Sequence, residues 1–138
     1  MSAKDRFHEA VKTGLIKDGW TITHDPLSLD FDNARIQIDL GGERLLAAER
    51  NLEKIAVEVK SFLAPSTIYE FHLAIGQCFS YRIALRAQHP GRKLYLAIPL
   101  FTYQEFFRRP FAQQTIQESQ TSLLVYEPNQ EVIEQWIS

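Results

Sequence analysis

Two charged side chains, Glu58 and Lys60, alternate with the apolar residues Val57 and Val59. Because the side chains of a β-strand point alternately to its two faces, Glu58 and Lys60 would share one face, about 7 Å apart. A carboxylate in this position can hold a hard divalent cation, which prefers oxygen ligands. The neighbouring ammonium can steady a phosphate or a nucleophilic water. The pair therefore indicates metal-assisted chemistry on a phosphate.

A second carboxylate is needed, because one carboxylate seldom holds Mg²⁺ well. Asp39 is the candidate, since it lies nineteen residues before Glu58, at the end of an alternating segment and just before Gly41-Gly42. If the strand continues through these glycines into residues 45–49, its hairpin with residues 54–60 brings Asp39 back near Glu58. Glu43 and Glu49 are the alternatives for the second ligand.

Each of these residues also has a purely structural alternative. Glu58 and Lys60 could form the solvent-facing side of a half-buried strand and pair with charged residues across a hairpin (Arg44, Glu49 or Arg50). Asp39 before glycine is also a common turn residue. Six basic residues could contact phosphate or form an ordinary solvated surface: Arg82, Arg86, Arg92, Lys93, Arg108 and Arg109.

The composition is that of an ordinary globular protein and limits the expected partners. The 138 residues, 45% hydrophobic and 23% charged, fit a single domain over residues 1–138. A net charge of −2 counts against a module that binds DNA by bulk attraction, but only weakly against a metal-dependent nuclease. With Cys78 as the only cysteine, no internal disulfide is expected. No apolar run reaches the ~20 residues that span a bilayer, so we expect a cytoplasmic protein without membrane contact.

The N-terminal half of the chain predicts a helix and then a run of strands, over residues 3–18, 20–23, 34–40, 45–49 and 54–60. Turns are expected at 30–33 and 50–53. In the alternating segment, Ile36, Ile38 and Leu40 would share one face, and Gly41-Gly42 would then interrupt the strand as a bulge or bend.

The C-terminal half predicts a long helix, a strand, a short helix, a strand and a terminal helix, over residues 67–88, 94–98, 102–109, 122–126 and 131–136. Thr67 with Glu70 three residues on is a capping-box signal for the long helix. Residues 110–121 are Gln-rich and carry no assignment. The order of elements predicts an α/β domain whose mixed sheet is flanked by helices.

This pattern resembles the PD-(D/E)XK nuclease superfamily, whose core is a helix, a three-strand meander, a helix and a strand. Its Glu-x-Lys appears as Glu58-Val59-Lys60, and its preceding aspartate appears as Asp39, without the proline that names the motif. The resemblance implies a restriction-endonuclease-like fold. It also implies that Asp39, Glu58 and the Val59 carbonyl hold Mg²⁺ or Mn²⁺, while Lys60 orients or deprotonates a water.

Three further residues match accessory positions of the same superfamily. Glu9 is the best match to an acidic residue on the first helix, which would be an outer-shell or second-metal ligand. Gln77 and Tyr81 match the Gln-x-x-x-Tyr motif of the RecB-like branch and would position the ligands or the DNA backbone. The alternatives are a solvent-facing Glu9 and a Tyr81 that belongs to the core.

Over essentially the whole chain, the sequence is also similar to the XisH family. The similarity is carried by residues 18–26, 38–41, 55–62, 126–128 and 133–136. Family members are cyanobacterial proteins described as fdxN element excision controlling factors. The resemblance implies DNA as a partner, with an XisI-like small protein, a site-specific recombinase and a second copy of the chain as further partners.

The rival interpretation is a catalytically silent regulatory protein that binds XisI or a recombinase. A third is an unrelated α/β binding domain with a coincidental Glu-x-Lys.

Overall fold

The computed structural model describes residues 2–45 and 52–138. It begins with helix α1 (Ala3–Lys17), which Ser2 caps by accepting a hydrogen bond from the amide of Asp5. The helix buries Phe7, Val11 and Leu15 on one side, as the helical spacing of apolar residues requires. The helix expected over 3–18 is thus confirmed.

A six-stranded mixed sheet forms the centre of the molecule, in the order β1-β4-β5-β6-β7-β8. Its strands are β1 (Thr21–His24), β4 (Leu40–Leu45), β5 (Leu52–Val59), β6 (Arg92–Pro99), β7 (Ser122–Glu127) and β8 (Val132–Ile137). The pairs β5-β6 and β6-β7 are parallel, and the other pairs are antiparallel. The predicted mixed α/β architecture is therefore confirmed.

A separate two-stranded sheet pairs β2 (Leu27–Phe31) with β3 (Ala34–Ile38). Its turn lies at Asp32 and Asn33, which both adopt positive φ, a conformation that Asn and Asp tolerate well. The turn expected at 30–33 is present, but it is two residues long. Strand β2 was not predicted.

The chain passes from the small sheet to the large one at Asp39, between β3 and β4. Ile38 and Leu40 are both fully buried, but on opposite sides of the large sheet. The prediction that Leu40 shares a face with Ile36 and Ile38 is therefore wrong. The expected interruption at Gly41-Gly42 is wrong as well, because both glycines lie inside β4 and the break falls at Asp39.

Strands β4 and β5 form the expected hairpin, with Leu40 opposite Val57 and Leu45 opposite Leu52. Most of the predicted strand 45–49, and the first part of the predicted turn 50–53, lie outside the described residues. The second part of that turn is wrong, because β5 already begins at Leu52.

Helix α2 (Thr67–Gln88) crosses one face of the large sheet, and α1 covers the other face. The α1 core includes Phe7, Val11, Leu15, Trp20, Leu40, Val57, Tyr95, Leu124 and Tyr126. The α2 core includes Leu27, Leu29, Ile38, Ala56, Phe71, Leu96, Ile98, Phe107 and Val125. Glu58 and Lys60 follow Ala56 at a spacing of two, so they point to the α2 side.

Two C-terminal predictions differ from the structure. Residues 110–121, left unassigned, contain α4 (Pro110–Ser119), with proline at its start, where its missing N–H costs nothing. The helix expected over 131–136 is wrong, since this segment is β8 and pairs with β7. A free edge of the sheet supplies hydrogen-bond partners that an isolated six-residue helix would lack.

The remaining helical segment, α3 (Leu100–Thr102), continues directly into a π-helical turn over Tyr103–Phe107. It occupies most of the short helix expected over 102–109, but begins two residues earlier. Within residues 2–45 and 52–138, no helix combines the length and the apolar character needed to cross a membrane.

Candidate active site

Asp39, Glu58 and Lys60 converge at the carboxyl end of β5. The Val59 amide donates a hydrogen bond of 2.7 Å to Asp39 Oδ2, and the Asp39 amide donates one of 3.4 Å to Glu58 Oε1. Lys60 Nζ lies 3.4 Å from Glu58 Oε2. The pairing of Leu40 with Val57 sets this geometry, because it places the preceding Asp39 beside Glu58.

Glu58 is a buried carboxyl group, only 6% exposed, on a strand that has neighbours on both sides. Burial and then the negative charge of Asp39 raise the pKa of Glu58 to about 7, while Lys60 acts in the opposite direction. The solvent-facing alternative for Glu58 is therefore wrong. Arg44, one of its suggested partners, instead pairs with Glu53 at 2.7 Å. Glu49 and Arg50 lie outside the described residues.

Lys60 is fixed through its backbone, although its side chain is 24% exposed. Its amide donates to the Ala97 carbonyl at 3.0 Å, and its carbonyl accepts a hydrogen bond of 2.9 Å from the Tyr126 hydroxyl. Tyr126 is fully buried, and burial followed by the charge of Asp39 raises the pKa of its hydroxyl. The hydroxyl therefore stays protonated and continues to hold the end of β5.

A small cavity of about 180 Å³ lies beside this group and is lined by Asp39, Val59 and Lys60. Glu70 from α2 also lines it, and its Oε2 is buried without a hydrogen-bond partner in the described part of the chain. The sequence suggested only a capping role for Glu70. The actual N-cap is Ser66, whose hydroxyl accepts from the Tyr69 amide at 3.2 Å. Glu70 therefore lies one position beyond the capping box and can serve the cavity.

The structure does not bring Glu9 into this site. Glu9 is exposed on α1, and the helix instead presents Lys4, Phe7 and His8 to the cavity. Successive helical residues point about 100° apart, so Glu9 cannot share the direction of His8. Glu9 was a candidate only because it is an acidic residue on the first helix. The acidic residue that lines the cavity is instead Glu70, from the second helix.

Gln77 and Tyr81 lie on the part of α2 that passes over Glu58. Burial and then the Glu58 charge raise the pKa of Tyr81, and the same two causes raise the pKa of Cys78 to about 12. Gln77 Oε1 is buried without a hydrogen-bond partner in residues 2–45 and 52–138. The two matched residues thus flank the site, but no hydrogen bond between either of them and Glu58 occurs there.

The possible metal ligands are two carboxylates and a backbone carbonyl. No three His, Cys, Asp or Glu side chains come together as a metal-binding group in the described ranges. Of the alternative second ligands, Glu43 forms an ion pair with Arg92, with 3.4 Å between Glu43 Oε1 and Arg92 Nη2. Glu49 lies outside the described residues. The geometry therefore favours Asp39 with Glu58, and a site of this kind needs oxygen ligands from the backbone, water or substrate to fill the coordination sphere.

Comparison with known proteins identifies the family. The family model described as "XisH protein" matches residues 1–134. An XisH family protein from Nostoc punctiforme is 50% identical, with a TM-score of 0.89 over 97% of this chain and 100% of that one. An fdxN element excision controlling factor protein from Anabaena variabilis is also 50% identical, with a TM-score of 0.88 over 97% and 99% of the two chains. The comparison with curated proteins found no match. The chain belongs to the XisH family.

Proposed function

We propose that this protein is a metal-dependent DNA endonuclease with a restriction-endonuclease-like core, which acts in or controls the excision of a DNA element. The observation that carries the proposal is the convergence of Asp39 and Glu58 on the end of β5, with Lys60 beside them. The excision role is extended from the Anabaena variabilis relative, which is described as an fdxN element excision controlling factor.

The residues at the site fit a divalent cation. The pKa of Glu58 is raised because its carboxylate is buried and faces Asp39, so a cation there would relieve a repulsion that a proton otherwise relieves. Glu70 lines the cavity with Asp39 and Lys60, and its Oε2, which has no hydrogen-bond partner among the described residues, offers a further acceptor for a metal-bound water. Mg²⁺ or Mn²⁺ accepts ligands of this hard oxygen type.

The bound cation would activate a water and neutralise charge on the phosphodiester in the transition state. Asp39 and Glu58, with the Val59 carbonyl, would hold it. The hydrogen bond from the Val59 amide fixes the carboxylate of Asp39, which reduces the reorganisation needed when the cation binds. Lys60 extends into partly exposed space, where its ammonium orients the water or the scissile phosphate. Gln77 and Tyr81, on the part of α2 that passes over Glu58, would position the ligands or the DNA backbone.

Calorimetric titration with Mn²⁺ tests the assembled site. We expect saturable binding to the wild type and loss of binding in Glu58→Gln, whose amide keeps the size and one acceptor oxygen of the carboxylate. Glu53→Gln is the matched control on the same strand, since Glu53 pairs with Arg44 outside the site. Cleavage of supercoiled DNA with Mg²⁺ or Mn²⁺ is then compared in the three proteins. Undiminished cutting by Glu58→Gln would remove the assignment.

A second candidate function is that of a catalytically silent partner protein. The observation that favours it is a set of large apolar residues exposed along α2: Ile68, Tyr69, Leu73, Phe79 and Ile83. Exposed apolar patches of this kind mark protein interaction surfaces, and an XisI-like small protein or a recombinase would be the partner.

The two candidate functions, nuclease and silent partner protein, predict different results for the variants Glu58→Gln and Leu73→Asp. A silent partner protein shows no Mn²⁺ binding in the wild type even with DNA present. In co-purification with an XisI-like protein, Leu73→Asp would lose the partner and Glu58→Gln would retain it. For the nuclease, Glu58→Gln loses Mn²⁺ binding and cleavage, and Leu73→Asp retains both.

A further inference from the structure

A second cavity, of about 440 Å³, lies at the carboxyl end of α2 and is lined by basic side chains. Its cationic residues are Arg82, Arg86, Arg92 and Lys93, and His89 completes the group. No Asp or Glu lies among the described residues that line it. Because the whole chain has a net charge of −2, this concentration of positive charge is a local property.

The cavity is distinct from the candidate active site. Among the described residues, none lines both this cavity and the one beside Asp39 and Lys60. Along α2, Glu70 and Arg86 are sixteen residues apart, which corresponds to about 24 Å of helix. The active site lies at the carboxyl end of β5, whereas Arg92 and Lys93 begin the parallel strand β6. The two sites therefore lie at opposite ends of the parallel strands.

Arg92 provides a buried donor that lacks an acceptor among the residues that the structure describes. The residue is 8% exposed, and its Nη1 donates to the Ile55 carbonyl at 2.7 Å and to the Gly42 carbonyl at 3.3 Å. Its only carboxylate neighbour in the described part of the chain is Glu43, at 3.4 Å from Nη2. The Nε–H is buried without a hydrogen-bond partner there. Such a donor is costly to leave unsatisfied, and Arg92 is one of the residues that line the cavity.

Two further cations of the cavity, Arg82 and Lys93, are held by neutral groups. Arg82 donates to the Ser119 and Gln120 carbonyls, at 2.7 and 2.6 Å, and Lys93 donates to the Ser138 hydroxyl at 2.8 Å. These bonds position the side chains without cancelling their charge. Burial is the largest cause that lowers the pKa of His89, and the positive charges of Arg92 and His24 lower it further.

We propose that this cavity binds a phosphate group. Guanidinium groups match the oxygen geometry of phosphate, and fixed arginines lose little entropy on binding it. The phosphate would come either from a small molecule or from the backbone of DNA, and the chemistry of recognition is the same. The site does not depend on the metal chemistry proposed for Glu58, so either proposal can fail without the other.

The test compares two double variants that change the net charge equally. Arg86→Gln with Lys93→Gln removes two exposed cations that line the cavity, and Arg35→Gln with Arg108→Gln removes two exposed cations elsewhere. Each protein is titrated with inorganic phosphate by calorimetry, and with a fluorescein-labelled DNA duplex by anisotropy, in metal-free buffer. We expect the cavity variant to bind at least about tenfold more weakly than the control variant. Circular dichroism checks that both variants are folded.

The outcomes separate the two sources of phosphate. Saturable phosphate binding that only the cavity variant weakens supports the site and indicates a small phosphorylated ligand. A selective loss in the duplex titration alone supports the site and assigns it to the DNA backbone. Equal affinities of the two double variants for both ligands, or no binding to the wild type, would overturn the proposal.

Discussion

Two neighbouring charges act on the pKa of Glu58 in opposite directions: the anionic Asp39 raises it, and the cationic Lys60 lowers it. In the folded protein its pKa is about 7, above the ordinary value of 4.5, and burial is the largest cause. The folded state therefore keeps a proton at pH values at which the unfolded chain has already released it. The contribution of the protonated Glu58 carboxyl group to the free energy of unfolding is fully present below pH 4.5 and is lost as the pH rises through 7.

We therefore expect the wild type to lose stability between pH 5 and pH 8 relative to Glu58→Gln, whose side chain does not titrate. The difference should be on the order of 2 kcal/mol. Urea unfolding of both proteins at the two pH values in metal-free buffer measures it. Glu53→Gln, on the same strand, should keep the pH dependence of the wild type. Parallel pH profiles for wild type and Glu58→Gln would contradict the raised pKa.

Among the residues, the sequence predicted which three side chains converge, and it missed the carboxylate of Glu70 beside the cavity. Asp39, Glu58 and Lys60 could be found because strand alternation and a hairpin are local patterns. Glu70 could not, because its place beside the cavity depends on how residues 60–66 direct α2 across the sheet. Glu9 was matched by its position on the first helix, but the direction in which that helix packs turns it to solvent.

Among the elements, predictions were correct where the periodic pattern was long and failed where tertiary contacts decide the outcome. Helices α1 and α2 and strands β6 and β7 follow from their apolar spacing. Strand β8 is too short for a reliable pattern, and its conformation is set by the edge of β7. The small hairpin β2-β3 was missed because its two-residue turn, Asp32-Asn33, was read as part of a longer irregular interval.

The packing of α1 against β8 gives a prediction at Gly14. A methyl group added there would lie 3.0 Å from Ile133 Cδ1 and 3.3 Å from the Ile133 amide nitrogen, whereas one added at Gly76 in α2 would meet nothing within 4 Å. Alanine is the better helix former at both positions. We therefore expect Gly76→Ala to stabilise the protein by about 0.5–1 kcal/mol, and Gly14→Ala to destabilise it by about 1–3 kcal/mol.

Chemical denaturation of the two alanine variants measures both effects. Both variants replace glycine by alanine within an α-helix, so the gain in helix propensity is the same in each. The difference in stability between them therefore measures the contact of position 14 with β8. If Gly14→Ala were as stable as Gly76→Ala, β8 would not contact α1 as closely as described.

In the whole molecule, the α1 core and the α2 core lie on opposite faces of one sheet, so each depends on the other. Trp20 and Trp136 both belong to the α1 side, with ring centroids 5.7 Å apart. Phe71 is fully buried in the α2 core, against Phe106 and Phe107. The tryptophans therefore report on one core while a change is made in the other.

We expect Phe71→Ala to cost about 3–5 kcal/mol and to shift the unfolding midpoints of tryptophan fluorescence and of far-ultraviolet circular dichroism equally. Such coincidence is the mark of a single cooperative transition. Phe101→Ala, at a side chain 72% exposed, should change stability by less than about 0.5 kcal/mol. A fluorescence midpoint that stays unchanged in Phe71→Ala would show that the two cores unfold independently.

The contact between α1 and β8 also bears on how the chain is made. Gly14 and Ile133, which touch in the folded protein, are separated by more than a hundred residues. At a synthesis rate of about 5–20 residues per second, the ribosome needs on the order of ten seconds to supply the second after the first. During that time Phe7, Val11 and Leu15 have no β7 or β8 to cover them. The apolar side of α1 therefore lacks this part of its cover until the last strands emerge.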